Sequence, residues 1–374
     1  MNNNKKAGGK RRRDRLSSLP EPIIHHILSF LDTKSAVQTS VLSRSWRSAW
    51  KHVPALDLDQ YSFQHYSSFH RYVGKVLSLR YPLHLETVRF VDDELRSDGR
   101  DDSLVIRVIQ YALSHDAQHL VIYQGNDIIS RDIYRFSDVF GSVSSRNNLK
   151  SLRLSGFELD RGFGSPCSWM LTTLHLVTCL VAWDQEVLEP FSNCPCLKYL
   201  VISDWLWLSD GIPCYDVDEK RIKIHGLELL SLKLESVQFR YVDIFAPKLK
   251  FFGFWVDDVQ FRSYSNLSLP SLDHADIGFT GDLRFVEKEK EYMKTQLINL
   301  LQGLHNAKSL TLNRDSTFQV LSRICGLLDD EPSPFLRLES LIIDDKIENL
   351  PYKLVNYFFK GSSCASPNIQ YIKA

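Results

Sequence analysis

An α/β fold is predicted for this chain of 374 residues. It combines a small N-terminal module of three helices with a long, irregular solenoid carrying parallel strands on its concave face and helices or loops on its convex face. Three observations predict it. Apolar residues recur at helical spacing between residues 16 and 50. A Leu-x-x-Leu-x-Leu pattern then recurs almost to the C-terminus. No run approaches the ~18–20 uninterrupted apolar residues of a membrane span, so a membrane partner is not expected.

At 44% apolar and 24% charged residues, the composition is that of an ordinary globular protein. Its 45 basic and 45 acidic residues balance, but not evenly along the chain. Residues 1–15 carry seven basic residues against Asp14 alone, leaving the other 359 with 38 basic and 44 acidic residues. A body of that sign is not built to neutralise phosphates, so nucleic acid is not expected as a partner. Residues 1–13 read as a basic disordered tail whose Lys10–Arg13 cluster could serve as a nuclear localisation signal. Residence is therefore expected in the nucleus and/or the cytoplasm. Seven scattered cysteines argue for reduced thiols rather than a disulfide framework.

The elements follow in order. Ser18-Leu19-Pro20-Glu21 reads as a capping box, with Ser18 as cap, Pro20 in the first turn and Glu21 returning to the cap. Ile23, Ile24, Ile27, Leu28 and Leu31 line one face of the helix that follows. Thr33 starts a second helix carrying Ala36, Val37 and Val41. Ser43 starts a third, with Trp46 and Trp50 one turn apart. So small a module cannot bury two tryptophans and these aliphatics by itself. Either the rest of the chain covers the surplus or another protein does. His25 and His26 fall on the more polar side of the first helix, and as adjacent histidines they are poor metal partners there.

Residues 14–54 resemble an F-box, in its plant form. The resemblance rests on Leu16 and Leu19-Pro20, on Ile23-Ile24, Ile27-Leu28 and Phe30-Leu31, and on Ala36-Val37. It continues through Val41-Leu42-Ser43-Arg44-Ser45-Trp46-Arg47, Trp50 and the strand-like Leu56-Asp57-Leu58-Asp59. It implies docking to the Skp-type adaptor of a cullin-based ubiquitin ligase, and through it to cullin and RING subunits. By the same resemblance, Leu19, Pro20, Ile23, Ile24, Leu28, Leu31 and Trp46 stand at or beside the adaptor surface.

From residue 55 to 374 the repeat governs the chain. Its middle apolar residues are Val88, Leu120, Leu152, Leu174, Leu200, Leu232, Phe252, Ala275, Leu310 and Leu341, on average about 28 residues apart. In each strand the Leu-x-Leu pair points inward, and the residues between and after it face outward. Stacking the strands gives an irregular leucine-rich-repeat solenoid. Outward positions include Arg153, His175, Lys233, Gly253, Trp255, Asp276, Gly278 and Asp344. Trp205, Trp207, Asp257, Asp258 and Asp345 are expected along the same edge. Arg153, His175, Lys233, Trp255, Asp257 and Asp344 are the candidate substrate-binding residues, on a mixed aromatic and acidic strip suited to a partly basic protein. Residues 281–304 read as a loop entering an amphipathic helix.

F-box followed by irregular leucine-rich repeats resembles the large plant F-box/leucine-rich-repeat group, many of whose members carry a further FBD-type segment. Here Ser366–Ala374 looks like another repeat strand in which the sequence stops. Either the chain is a shortened form or its last strand closes the stack imperfectly.

The chemistry of an enzyme is not legible. Gly8-Gly9-Lys10 lacks phosphate-loop spacing, and no glycine-flanked serine forms a nucleophile elbow. Cys194-Pro195-Cys196 has no second ligand pair at zinc spacing and is read as core filler. No metal, cofactor or catalytic residue is assigned. The expected function is a non-catalytic substrate-recognition subunit of a Skp–cullin–F-box ligase with an unknown protein target. Its rivals are a ligand-dependent sensor of the same architecture, which a cluster of buried basic residues at one end of the solenoid would support but the acidic body does not show, and a non-ligase repeat scaffold, against which Leu19-Pro20 and Trp46 argue.

Overall fold

A computed structural model describes residues 15–16, 18–92, 103–125, 133–141, 148–164, 170–182, 186–209, 212–214, 220–237, 241–257, 263–280, 290–313, 317, 320–321, 331–344, 352–363 and 368–372. The basic tail, with Lys10–Arg13, lies outside them. Two compact units emerge, one of residues 1–92 and 102–117, the other of 93–101 and 118–374.

The first unit opens with three short helices, α1 (Glu21–Leu28), α2 (Thr33–Gln38) and α3 (Trp46–Ala49). The capping box does not form. The Ser18 hydroxyl donates to the Arg15 carbonyl, and α1 begins only after Pro20, which sits at the cap without a side-chain hydrogen bond. A second proline, Pro22, stands in the first turn, where a missing N–H costs nothing. The cap that does form is at α2, where the Asp32 carboxylate accepts from the Ser35 amide at 2.8 Å. Those bonds hold the Asp32 carboxyl below its usual range although burial pushes the other way.

The helices are tied to a strand β1 (Ala55–Asp59), which pairs in parallel with β2 (Thr87–Asp92), Leu56 beside Val88 and Leu58 beside Phe90. The Asp57 amide donates to the Thr33 hydroxyl at 2.7 Å. Helix α4 (Tyr66–Leu79) ends in Arg80, 9% exposed, whose guanidinium donates to the carbonyls of Trp50, Val53 and Ala55. One buried cation therefore satisfies three main-chain carbonyls where the helices meet the sheet. Helix α5 (Ser103–Ser114) completes the unit.

The second unit is a ladder of ten parallel strands: β3 (His119–Gln124), β4 (Ser151–Ser155), β5 (Thr173–Val177), β6 (Tyr199–Ser203), β7 (Ser231–Glu235), β8 (Phe251–Asp257), β9 (His274–Thr280), β10 (Ser309–Asn313), β11 (Ser340–Asp344) and β12 (Asn368–Ile372). The residues picked as repeat centres are direct neighbours across it: Leu120, Leu152, Leu174, Leu200, Leu232, Phe252, Ala275, Leu310, Leu341 and then Ile369. From Leu120 to Leu341 none is more than 1% exposed. The second stripe, from Ile122 and Leu154 to Leu312 and Ile343, is as closed.

Two backbone devices recur at fixed offsets from these centres. The carbonyl two residues before a centre accepts two successive amides of the next repeat, as Lys198 does from Leu230 at 2.8 Å and Ser231 at 3.0 Å. Pro54 does the same for Glu86 and Thr87 in the first unit. Four residues after a centre the chain turns through a positive φ, at Gly156 (80°), Thr178 (48°), Asp204 (54°) and Ser236 (49°). Each of these corner residues donates its amide to the carbonyl three residues after the next centre, at Val177, Ser203, Glu235 and Trp255.

The stretches between ladder strands differ from expectation. In the short repeats their described residues hold further strands, such as Phe157–Leu159 beside Leu180–Val181, and Tyr241–Phe245. Arg221–His225 runs extended too, beside Tyr241–Phe245, although its interval from Leu200 to Leu232 has 32 residues, so interval length alone does not decide how a return folds. The longest interval, from Ala275 to Leu310, houses the expected amphipathic helix α6 (Lys290–Gly303), with Leu297, Leu300 and Leu301 buried.

Candidate functional surfaces

The helical module divides the seven residues expected at the adaptor surface into two groups. Ile24 and Leu28 are completely buried and Trp46 is 2% exposed, so these three are the module's own core. The Trp46 indole N–H donates to the Leu16 carbonyl at 3.1 Å, which pins the segment before α1 against α3. Leu19 is half-buried, whereas Pro20, Ile23 and Leu31 are exposed. Periodicity alone could not make this division, because α1 carries apolar residues on more than one face.

Other exposed apolar residues belong to the motif but were not among those expected at the adaptor surface. Phe30 is 76% and Val41 86% exposed, and Leu16 and Leu42 about half exposed. Ser29, which ends α1, and the 3₁₀ turn of Thr39–Val41 throw these side chains outward. Burying side chains of this size contributes roughly 1.5–3 kcal/mol each. A small module exposing so many has the makings of a docking surface.

On the ladder, period 2 puts three rows of side chains on one face. The row one residue after the centres runs Arg153, His175, Val201, Lys233, Gly253, Asp276, Thr311 and Ile342. Arg153 is exposed, while His175 and Lys233 are half-buried. Burial together with the nearby charges of Arg153 and Lys233 holds the His175 imidazole below its usual range. This end of the strip is basic, where the sequence suggested aromatics and acids.

Aromatic side chains adjoin it. The Lys233 ammonium lies 5.1 Å from the Trp255 ring centre and 5.6 Å from that of Phe251, within cation–π range. Phe251 stacks on His274 at 5.3 Å, and His274 reaches the Thr311 hydroxyl at 3.1 Å. Two glycines make room. A Cβ on Gly253 would sit 3.1 Å from the Lys233 Cγ, and one on Gly278 would sit 3.0 Å from Trp255. Phe251 and the purpose of these glycines had no signal beyond their place in the repeat. The side chains of Asp257 and Asp344, which end β8 and β11, lie outside the described residues, as do Asp258 and Asp345.

Two tryptophans expected on this edge are internal. Trp205 is 1% and Trp207 2% exposed. The left-handed corner at Asp204 swings the chain off the ladder face, and Trp205 packs against Phe191 at 6.4 Å. Nor are both cysteines of Cys194-Pro195-Cys196 core filler; they are half-exposed beside a turn whose last residue, Leu197, is buried. Among the described cysteines Cys179 is buried, and burial pushes its thiol up to about 12, which keeps it un-ionised. Among the described residues of the ladder unit, no three His, Cys, Asp or Glu donors come within ligand distance of one another. Among the described residues, no helix is long and apolar enough to cross a membrane.

Comparison with known proteins agrees with this architecture. Residues 16–56 match the F-box domain. Over 91% of its length the chain is 29% identical to an F-box/FBD/LRR-repeat protein of Arabidopsis thaliana, covering 76% of that protein. It is 28% identical to the F-box/LRR-repeat protein 13 of the same plant, over 84% of this chain and 68% of that one. An FBD-associated F-box protein, again from Arabidopsis thaliana, is 31% identical over 65% of the chain and 55% of its own length. The chain thus spans from about half to three quarters of the length of these relatives.

Proposed function

From an F-box at residues 16–56 followed by a leucine-rich-repeat ladder, we propose that the chain is the substrate-recognition subunit of a Skp–cullin–F-box ubiquitin ligase. The observation that carries the proposal is the exposed apolar set of Ile23, Phe30, Leu31, Val41 and Leu42 around a closed core of Ile24, Leu28 and Trp46. These exposed residues, with Leu19 and Pro20, dock the Skp-type adaptor, which brings cullin and RING subunits. The ladder face of Arg153, His175, Lys233 and Trp255, with Asp257 and Asp344 at its margin, holds a protein target. Catalysis is then proximity. The target lysine is held near a conjugating enzyme, and no residue of this chain makes or breaks a bond.

A second reading has one observation in its favour. Arg153, His175 and Lys233 form the kind of basic cluster that a ligand-dependent sensor would use to hold an anionic small molecule beneath its target. Residence in the nucleus and/or the cytoplasm belongs to the proposal, and replacing Lys10–Arg13 by alanine in a fluorescent fusion tests it.

The test is retention of a Skp-type adaptor by the full chain, with Ile23→Asp and Leu19→Ala/Pro20→Ala as comparisons. Retention abolished by either variant, with the melting temperature unchanged, supports the docking surface. No retention by the unaltered chain would leave a repeat scaffold with a helical cap.

A further inference from the structure

Outside the surfaces just described, a cluster of donors stands in the first unit. His25 lies one turn after Glu21 on α1, its Nε2 3.8 Å from the carboxylate Oε1. Across from it is His52, 27 residues further along the chain, in the 3₁₀ turn Trp50–His52 that follows α3. The two imidazoles face each other at 5.3 Å between ring centres, inclined by 31°. His52 is backed by Tyr81 at 4.6 Å. His26, its sequence neighbour, takes no part and packs edge-on against Phe30 at 4.9 Å.

The polar atoms of this cluster are short of partners. His25 Nε2 and His52 Nδ1 are both buried and neither has a hydrogen-bond partner. A buried nitrogen left without a hydrogen bond is costly, and here two such nitrogens stand close together near a carboxylate. The Glu21 oxygen, His25 Nε2 and His52 Nδ1 all lie within 4.8 Å of one another. In a tetrahedral site with bonds of about 2.0–2.2 Å, ligand atoms stand about 3.3–3.6 Å apart. The exposed Glu21 side chain can supply much of that closure by rotation. Two neutral imidazoles and one carboxylate suit a borderline ion such as Zn²⁺ and offer little to Ca²⁺ or Mg²⁺, which take oxygen ligands. The competing cation is Lys51, whose ammonium rests 5.7 Å from the centre of the Tyr81 ring and 5.9 Å from that of Trp50.

We propose that Glu21, His25 and His52 form a binding site for a divalent transition ion of the zinc class, which staples the start of α1 to the turn after α3. Three protein ligands leave a fourth position for water. The ion braces the F-box core from outside and holds α1 in the orientation that presents Ile23. This goes beyond the ligase reading and does not depend on it.

The test uses the tag-free full chain, freed of metal with a chelator and titrated with ZnCl₂ by calorimetry and with CoCl₂ by visible spectroscopy. One saturable equivalent is expected, with a higher melting temperature on zinc addition and a cobalt spectrum without a thiolate charge-transfer band. His52→Ala is expected to weaken binding by about tenfold or more, and Glu21→Gln, an exposed change that spares folding, to weaken it as well. Binding that both variants leave untouched, a thiolate band, or no saturable binding would each overturn the site. Adaptor retention, measured with and without zinc, reads the ligase proposal separately.

Discussion

The helical module and the ladder are made from the same branched aliphatic side chains and treat them in opposite ways. From β3 to β11, every repeat centre on the ladder is closed to 1% exposure or less, because each strand is covered by its neighbours. In the module, Ile24, Leu28 and Trp46 are as closed, yet Ile23 stands 46%, Phe30 76% and Val41 86% exposed. A stack of repeats supplies its own partners and leaves variation to the residues between the stripes. Three helices of eight residues or fewer cannot, and their unburied surface is available to another protein.

The sharpest break of the comparison comes from Leu232→Ala on β7. Leu232 is fully buried between Leu200 and Phe252, so its truncation is expected to cost about 2–5 kcal/mol in urea denaturation. Adaptor retention should survive as long as the chain stays folded. Ile23→Asp should do the reverse, shifting stability by no more than about 0.5 kcal/mol while abolishing retention. If the two variants behaved alike in both assays, the contrast between a closed ladder and an open module would fail.

A smaller effect tests the ladder's corners. Thr178 is β-branched and held at a φ of 48°, where an L-residue pays roughly 1–2 kcal/mol. Thr178→Gly should therefore be neutral or stabilising, by up to about 1 kcal/mol once the added freedom of the unfolded chain is counted. Loss of the 2.9 Å contact between the Ser155 and Thr178 hydroxyls works against the gain. Gly156→Val at the equivalent corner should destabilise. Thermal melts of the pair decide it, and a strongly destabilised Thr178→Gly would contradict the reading of that corner.

The smallest effect concerns His175, whose charged form is disfavoured by burial and by Arg153 and Lys233. The unfolded chain binds that proton more readily. Stability associated with His175 is therefore complete above the ordinary imidazole range and falls as the pH drops through it. Lys233→Ala should raise the His175 titration midpoint, read from its ring-proton NMR signal. An unmoved midpoint would mean that the ammonium does not reach the imidazole.

The ladder was legible in the sequence because period 2 and a fixed offset write it twice. Leu152 and Leu154 mark one strand, and Leu174 and Leu176, which pair with them, mark the next. What lay between the strands was not legible, since the repeat pattern stops at the ladder strand: the interval from Leu200 to Leu232 carries the strand Arg221–His225, and that from Ala275 to Leu310 carries α6. The corner at Asp204 shows how one backbone angle escapes pattern reading and carries Trp205 and Trp207 indoors. In the module the apolar residues were identified, but their division into core and surface was not, because it is set by how three short helices lean on β1 and Arg80. The pairing of His25 with His52 had no local signal at all, since 27 residues separate them. Gly253 and Gly278 looked like gaps in the outward row, and the space they open for Lys233 and Trp255 emerges only when strands stand side by side.

The most direct test of the contrast is amide hydrogen exchange on the full chain, followed by mass spectrometry, with and without a Skp-type adaptor. The account predicts added protection across residues 16–42, where Ile23, Phe30, Leu31 and Val41 become covered, and none along the ladder strands. Protection falling on the strands around Arg153, His175 and Lys233, with residues 16–42 unchanged, would contradict it.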